Sequence, residues 1–249
     1  MLRKGCFFIY LLLSMSLFAE IKGFEIIIDD PNVQFQSKEY YILRIKEYLE
    51  LTQSIDSNQT LFFDNAERDF QEAAEKFPDD LEILFLKGDI LYYKNDIEGE
   101  VNYYSKLLEK YPHEYEIYIK RATSYWDLKQ MNNFINDNLK ANELKPNDSI
   151  ILGKIGLGYM EIEDYKNAEI YLTQSYNVDN TDVVTLNNLG ALNYHLGNYE
   201  IADGWITKSL RIDDTNPNAY AVKWYIQKAL GNEEEAEEAY MNILRYSNN

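Results

Sequence analysis

The sequence predicts an all-α fold: a solenoid of stacked antiparallel helix pairs. Three observations carry that reading. Pro78, Pro112 and Pro146 stand 34 residues apart, each between two apolar, helix-like runs, and ~34 residues is the length of one helix–turn–helix unit in a common class of solenoid. With these prolines at position 32 of a 34-residue frame, position 8 reads Gly88, Ala122, Gly156, Gly190 and Trp224, and position 20 reads Ala66, Glu100, Phe134, Ala168, Ala202 and Ala236. Hydrophobic residues make up 46% of the 249-residue chain, enough for a continuous core in which each unit packs only on its neighbours.

Residues 1–19 read as an export segment. Arg3 and Lys4 precede an uninterrupted apolar run from Cys6 to Leu13, and the apolar character continues to Ala19. This is short of the ~20 residues that span a bilayer comfortably as a helix, so a signal peptide is the reading and an uncleaved anchor the alternative. Ser14-Met15-Ser16 gives the small-x-small pattern for cleavage after Ser16; cleavage after Ala19 would place bulky Leu17 at the −3 position. Cys6 precedes the apolar run, the wrong side for a lipoprotein acceptor. The expected location is outside the cytosol, in the periplasm or cell envelope: secreted if the segment is removed, membrane-anchored if it stays.

Residues 20–36 look extended, with Glu25-Ile26-Ile27-Ile28-Asp29-Asp30-Pro31 an edge strand or a linker. Residues 37–80 read as N-terminal helices forming a degenerate unit. A helix over Ser37–Ser54 would bury a stripe of Tyr40, Tyr41, Ile45, Tyr48 and Leu49, and residues 59–80 supply a second helix. Full units follow over 81–114, 115–148, 149–182 and 183–216, with a C-terminal unit or cap over 217–249. Within each, the turn falls near position 15, where Gly197-Asn198 and Gly231-Asn232 supply turn chemistry. Proline at position 32 stops the second helix, because the preceding residue is biased away from helical geometry. The small residues at positions 8 and 20 are expected to face each other where the two helices cross, with large residues at positions 4, 11 and 24 filling the space on either side. Glu100 and Phe134 break this at position 20. Trp224 breaks it at position 8, so the last pair is expected to be splayed or modified.

Taken together these units resemble the tetratricopeptide repeat family. Leu186-x-x-Leu189-Gly190, Gly197-x-Tyr199 and Ala202 make the best match. Ile155-Gly156, Tyr159, Tyr165 and Ala168 come next. The resemblance covers residues 81–249 in register, and Gln53 and Ser54 depart from it where Leu-Gly belongs. It implies a right-handed superhelix of about five full repeats plus a degenerate N-terminal one. It also implies a concave groove lined by first helices at positions 2, 5, 9, 12 and 13. Carried onto this chain, the groove candidates are Phe85, Asp89, Tyr92, Trp126, Leu157, Met160, Tyr194 and Tyr225, with Asn187 and His195 on the same face. This list is largely aromatic and acidic, suited to a protein or peptide partner that is basic or aromatic-binding. The same aromatics can instead pack between neighbouring first helices.

Other functions find no support in the sequence. A formal net charge of −18 repels nucleic-acid phosphates and anionic lipid, so neither is an expected partner, and membrane contact is expected only through an uncleaved N-terminus. Such a charge is also a plain solubility device. Cys6 is the single cysteine, and His113 and His195 are the only histidines, so no metal site is expected. Gly153-x-x-Gly156-x-Gly158 lacks the order of a dinucleotide loop and falls inside a predicted helix. No nucleophile–base pattern appears; no enzyme, cofactor or small-molecule substrate is expected. The family's carboxylate clamp is not recognisable either. Position 5 offers Phe85, Ile119, Gly153, Asn187 and Ala221, and position 9 offers Asp89, Thr123, Leu157, Ala191 and Tyr225. What remains is an exported adaptor that binds a protein segment, or alternatively a membrane-tethered scaffold or accessory subunit of an envelope assembly.

Overall fold

The computed structural model describes residues 33–54 and 59–247. The export segment, its two cleavage sites and residues 20–32 of the proposed linker lie outside the described residues. Those residues form twelve helices and no strand: α1 (Lys38–Ser54), α2 (Gln59–Lys76), α3 (Leu81–Tyr93), α4 (Ile97–Lys110), α5 (Tyr115–Asp127), α6 (Met131–Leu144), α7 (Ser149–Glu161), α8 (Tyr165–Val178), α9 (Val183–His195), α10 (Tyr199–Ile212), α11 (Pro217–Leu230) and α12 (Glu233–Tyr246). They divide into two compact units, with the boundary inside α4 between Tyr103 and Tyr104.

In the first unit α1, α2 and α3 pack mutually. The α1 stripe of Tyr40, Tyr41, Ile45, Tyr48 and Leu49 is buried, joined by Ile42, Phe62, Ala66, Ile83 and Ile90. A tyrosine-rich core must satisfy its hydroxyls. Tyr41 donates to Glu72 at 3.2 Å and accepts from the Lys76 ammonium at 2.8 Å. Arg44 lies in the same wall, with its Nε 2.8 Å from Asp69 Oδ2, and it donates to the hydroxyls of Tyr40 and Tyr48. Residues 33–36 do not extend as the sequence suggests. They turn, with the Ser37 amide bonded to the Gln34 carbonyl, and Val33 packs on the core.

The second unit contains four helix pairs, α5/α6, α7/α8, α9/α10 and α11/α12, each packed on the next through α6–α7, α8–α9 and α10–α11. Every first helix from α3 onward ends in one turn. Position 15 is left-handed in all five units: Asn95, Lys129, Glu163, Gly197 and Gly231, with φ of 59°, 59°, 60°, 78° and 78°. The amide of position 16 returns to the carbonyl five residues earlier, as Asp96 to Leu91 (2.9 Å) and Asn198 to Asn193 (2.8 Å), and the amide of position 15 returns to position 12. This pair of bonds is the Schellman motif. Glycine marks it in two units and asparagine, which tolerates positive φ, in a third; at Lys129 and Glu163 the bonds impose it on residues that resist it.

The next first helix opens on a repeated cap. The side chains of Asp80, Asp148, Asp182 and Asn216, all at position 34, accept from the second and third amides of α3, α7, α9 and α11. Glu114, at the same position before α5, makes no such bond.

The crossing geometry corrects one expectation. A Cβ on Gly190 would lie 2.5 Å from Cδ1 and 2.7 Å from Cγ1 of Ile206, and one on Gly156 would lie 2.6 Å from Leu172 Cγ. Position 24, rather than position 20, therefore covers the glycine. Position 20 lies farther off at Gly190, where the Ala202 carbonyl oxygen is 3.5 Å away. The two second-helix positions sit one turn apart on the same face, and the longer side chain at 24 reaches across.

In α5/α6 the sizes are exchanged. Phe134 holds position 20 and Asn138 position 24, and both are buried. The Phe134 ring is received by Gly158 of α7, where an added Cβ would fall 2.9 Å from the ring's Cδ1. Gly153, Gly156 and Gly158 are thus three packing contacts inside α7, not a loop. The last pair is closed rather than splayed, since α12 packs along α11 with Ala236 and Ala239 buried; the Trp224 indole lies edge-on to its neighbour Tyr225 on the same helix.

Candidate functional site

The Schellman turns fix where first helices end, and so where their position-12 and position-13 side chains emerge. In the second unit α7, α9 and α11 lie side by side, and they carry Leu157, Met160, Tyr194 and Tyr225, while Trp126 is on α5. Position 2 is an open row on these helices, with Ile150 and Val184 being 65% and 58% exposed. Position 5 is sealed: Gly153 and Asn187 are buried, and the Asn187 side-chain oxygen has no hydrogen-bond partner among the described residues.

The remaining candidates divide. Trp126 is half-buried against Ala122, Phe134 and Ile135, its ring 5.1 Å from Phe134, with the Lys129 ammonium 5.7 Å above it. Met160 backs onto the cluster of Ala168, Leu172, Leu189 and Leu192. Both are as much core as surface, and Leu157 is half-buried. Tyr194 and Tyr225 belong to something the sequence reading did not assemble. Ring contacts run from Tyr165 to His195 (5.8 Å, stacked), His195 to Tyr194 (5.7 Å), Tyr194 to Tyr225 (6.0 Å) and Tyr225 to Trp224. Tyr199 joins at 5.6 Å from Tyr194. Tyr165 and Tyr199 share position 17, the first residue of a second helix. Their 34-residue spacing is the mark they leave in the sequence.

In the first unit, α3 carries Phe85, Asp89 and Tyr92. Phe85 and Asp89 are half-buried; Tyr92 is exposed and meets Tyr93 edge-on at 5.9 Å.

The face is less uniformly acidic than its sequence list suggests. Position 6 carries Lys120 on α5 and Lys154 on α7. Burial, with Lys120 adding repulsion, pushes the Lys154 ammonium below the ordinary lysine range. The acidic groups gather at the turns instead, as Glu161, Glu163 and Asp164 beside Tyr165. Among the described residues no three His, Cys, Asp or Glu side chains come together as metal ligands, and no helix is long and apolar enough to cross a membrane.

This is a helical-repeat scaffold with an aromatic face. A family model of the tetratricopeptide repeat matches residues 115–148, and similar solved structures carry the same architecture. MamA is 20% identical, covering 65% of this chain and 94% of its own, with a TM-score of 0.57. YrrB, a tetratricopeptide repeat protein with an unusual peptide-binding site, is 18% identical over 71% of this chain and 91% of its own, TM-score 0.54. PilF of Pseudomonas aeruginosa is 14% identical over 84% and 92%, TM-score 0.62. No curated protein matches the chain. The fold is that of a tetratricopeptide repeat protein. Proteins of this kind mediate protein–protein interaction and are typically adaptors without enzymatic activity.

Proposed function

We propose that the chain is an exported adaptor that binds a protein or peptide segment on the face of its first helices. The observation that carries this is that first helices of both units present aromatics near ends closed by the repeated turn: Tyr92 on α3 in the first unit and, separately, Tyr194 with Tyr225 on α9 and α11 in the second. Aromatic side chains give large contact area for little conformational entropy. The peptide-binding site of YrrB supports the reading by analogy. Export rests on Arg3, Lys4 and the apolar run from Cys6.

Photocrosslinking in intact cells tests the surface. Tyr92 or Tyr225 is replaced by p-benzoylphenylalanine, and Ile201, exposed on α10, serves as the control position. Protein adducts are expected from the first two positions. Adducts from Ile201 alone would sink the assignment.

The same apolar run favours a second reading, a scaffold tethered through an uncleaved N-terminus. Intact mass of the protein from its native fraction decides: loss of residues 1–16 or 1–19 supports export of a free adaptor, and retention supports the tether.

A further inference from the structure

We infer that the ring run Tyr165–His195–Tyr194–Tyr225–Trp224 takes up arginine side chains of a basic protein segment by stacking guanidinium groups on its aromatic faces. The inference rests on the reading of the first-helix face as a partner surface and names the chemistry of the partner.

The first ground is what covers the other rings. This chain places its own cations over many aromatics: Lys208 over Tyr176 at 4.3 Å, Lys145 over Tyr115 at 4.5 Å, Arg121 over Tyr125 at 5.6 Å and Lys129 over Trp126 at 5.7 Å. Among the described residues no Lys or Arg lies over any of the five rings in the run. Of these rings His195 and Tyr225 are the exposed ones, and they are what an outside cation can reach.

The second ground is preorganisation. Tyr165 packs on the Ala168–Leu172–Leu189–Leu192 cluster and Tyr194 on Ala202–Ile206–Ala219–Ile226, so both are backed by core, while His195 is exposed and Tyr225 is 52% exposed. Rings held from behind and open in front lose little freedom on binding.

The third ground is charge. The turn entering Tyr165 sets Glu161, Glu163 and Asp164 against Lys166 alone, in a chain of net charge −18. A cation stacked there is favoured by the rings and by the acidic turn that leads into Tyr165. Arginine suits the site better than lysine, because the guanidinium is planar, weakly hydrated and able to stack while its edge donors reach carboxylates.

The test uses the full chain and a fluorescent Gly-Ser peptide carrying paired arginines, with lysine and neutral citrulline counterparts, read by fluorescence anisotropy. Citrulline is expected to weaken binding about tenfold and lysine about threefold. Tyr225→Leu keeps apolar area and net charge, so it separates ring stacking from bulk attraction to an acidic protein. It should weaken the arginine peptide about tenfold and erase the difference between arginine and citrulline. His195→Leu is a second variant in the same run with the same expectation, and far-UV circular dichroism confirms the fold of each. Equal binding of arginine and citrulline peptides, no binding of the arginine peptide, or an unchanged preference in Tyr225→Leu would each overturn the inference. If that happens while photocrosslinks persist at Tyr225, the partner surface stands and only the arginine preference falls. Loss of both removes the surface itself.

Discussion

Gly156 and Gly204 are both interior helix glycines, and the structure assigns opposite signs to the same substitution. A methyl group on Gly156 would lie 2.6 Å from Leu172 Cγ, 2.8 Å from its Cδ2 and 3.2 Å from its backbone nitrogen, while nothing lies within 4 Å of one on Gly204. Leu172 is fully buried, so it has no open space into which to move. Alanine gains about 1 kcal/mol over glycine in a helix interior, and overpacking a filled core costs about 1–3 kcal/mol. Gly204→Ala should therefore stabilise the protein by up to about 1 kcal/mol. Gly156→Ala should destabilise it by up to about 2 kcal/mol. Because the propensity gain is common to both, the difference between the variants, about 1–3 kcal/mol, reads the steric cost at the crossing. Urea unfolding followed by far-UV circular dichroism measures it. A Gly156→Ala protein as stable as Gly204→Ala would refute the close approach of position 24 to position 8.

Three further predictions concern the frame. Gly197→Ala should cost about 1 kcal/mol in the same assay although the space around it is open, because alanine resists a φ of 78°, and Lys129→Gly should move stability the other way. Phe134→Ala should cost about 3–5 kcal/mol, and adding Asn138→Leu should recover part of the loss, since the pair would then have the sizes found in α7/α8 and α9/α10. Asp148→Ala should cost about 1 kcal/mol by uncapping α7. Burial alone would raise the Asp148 and Asp80 carboxyls, but Lys145 and Lys38, with the amides of Ile151 and Ile83, hold both below the usual carboxylate range. Their folded-state pKa values are depressed, so their stabilisation is complete above the ordinary carboxylate pKa and is lost as pH falls through the folded values. A pH series of urea midpoints should show that acid loss shrink in Asp148→Asn.

Much of the fold is legible in the sequence, because period and residue size are direct consequences of packing helix on helix. The stripe of α1 could be read from its spacing alone. Two regularities went unread. The position-34 caps escape a search for apolar pattern, although Asp80, Asp148, Asp182 and Asn216 share one place in the frame. The left-handed turn is hidden at Lys129 and Glu163, where backbone hydrogen bonds determine the conformation against local preference. The candidate site was harder to read for a different reason. The ring run draws on three helices, and the spacing that aligns Tyr165 with Tyr199 does not reveal that Tyr165 of α8 stacks on His195 of α9 or that Trp224 turns toward Tyr225. Trp126 and Met160, read as surface, back onto core because their neighbours leave room for them there.

The size exchange between Phe134 and Gly158 makes the joint from α6 to α7 a keyed one. In α7/α8 and α9/α10 a small residue at position 20 and a large one at 24 make one unit much like another, and such modules can in principle be duplicated or permuted. Here the bulky key belongs to one module and its slot to the next. Moving residues 115–148 to another place in the array would set Phe134 against a helix with no slot, and it would leave a void beside Gly158. The order of these two modules is therefore written into the side chains as well as into the chain's connectivity.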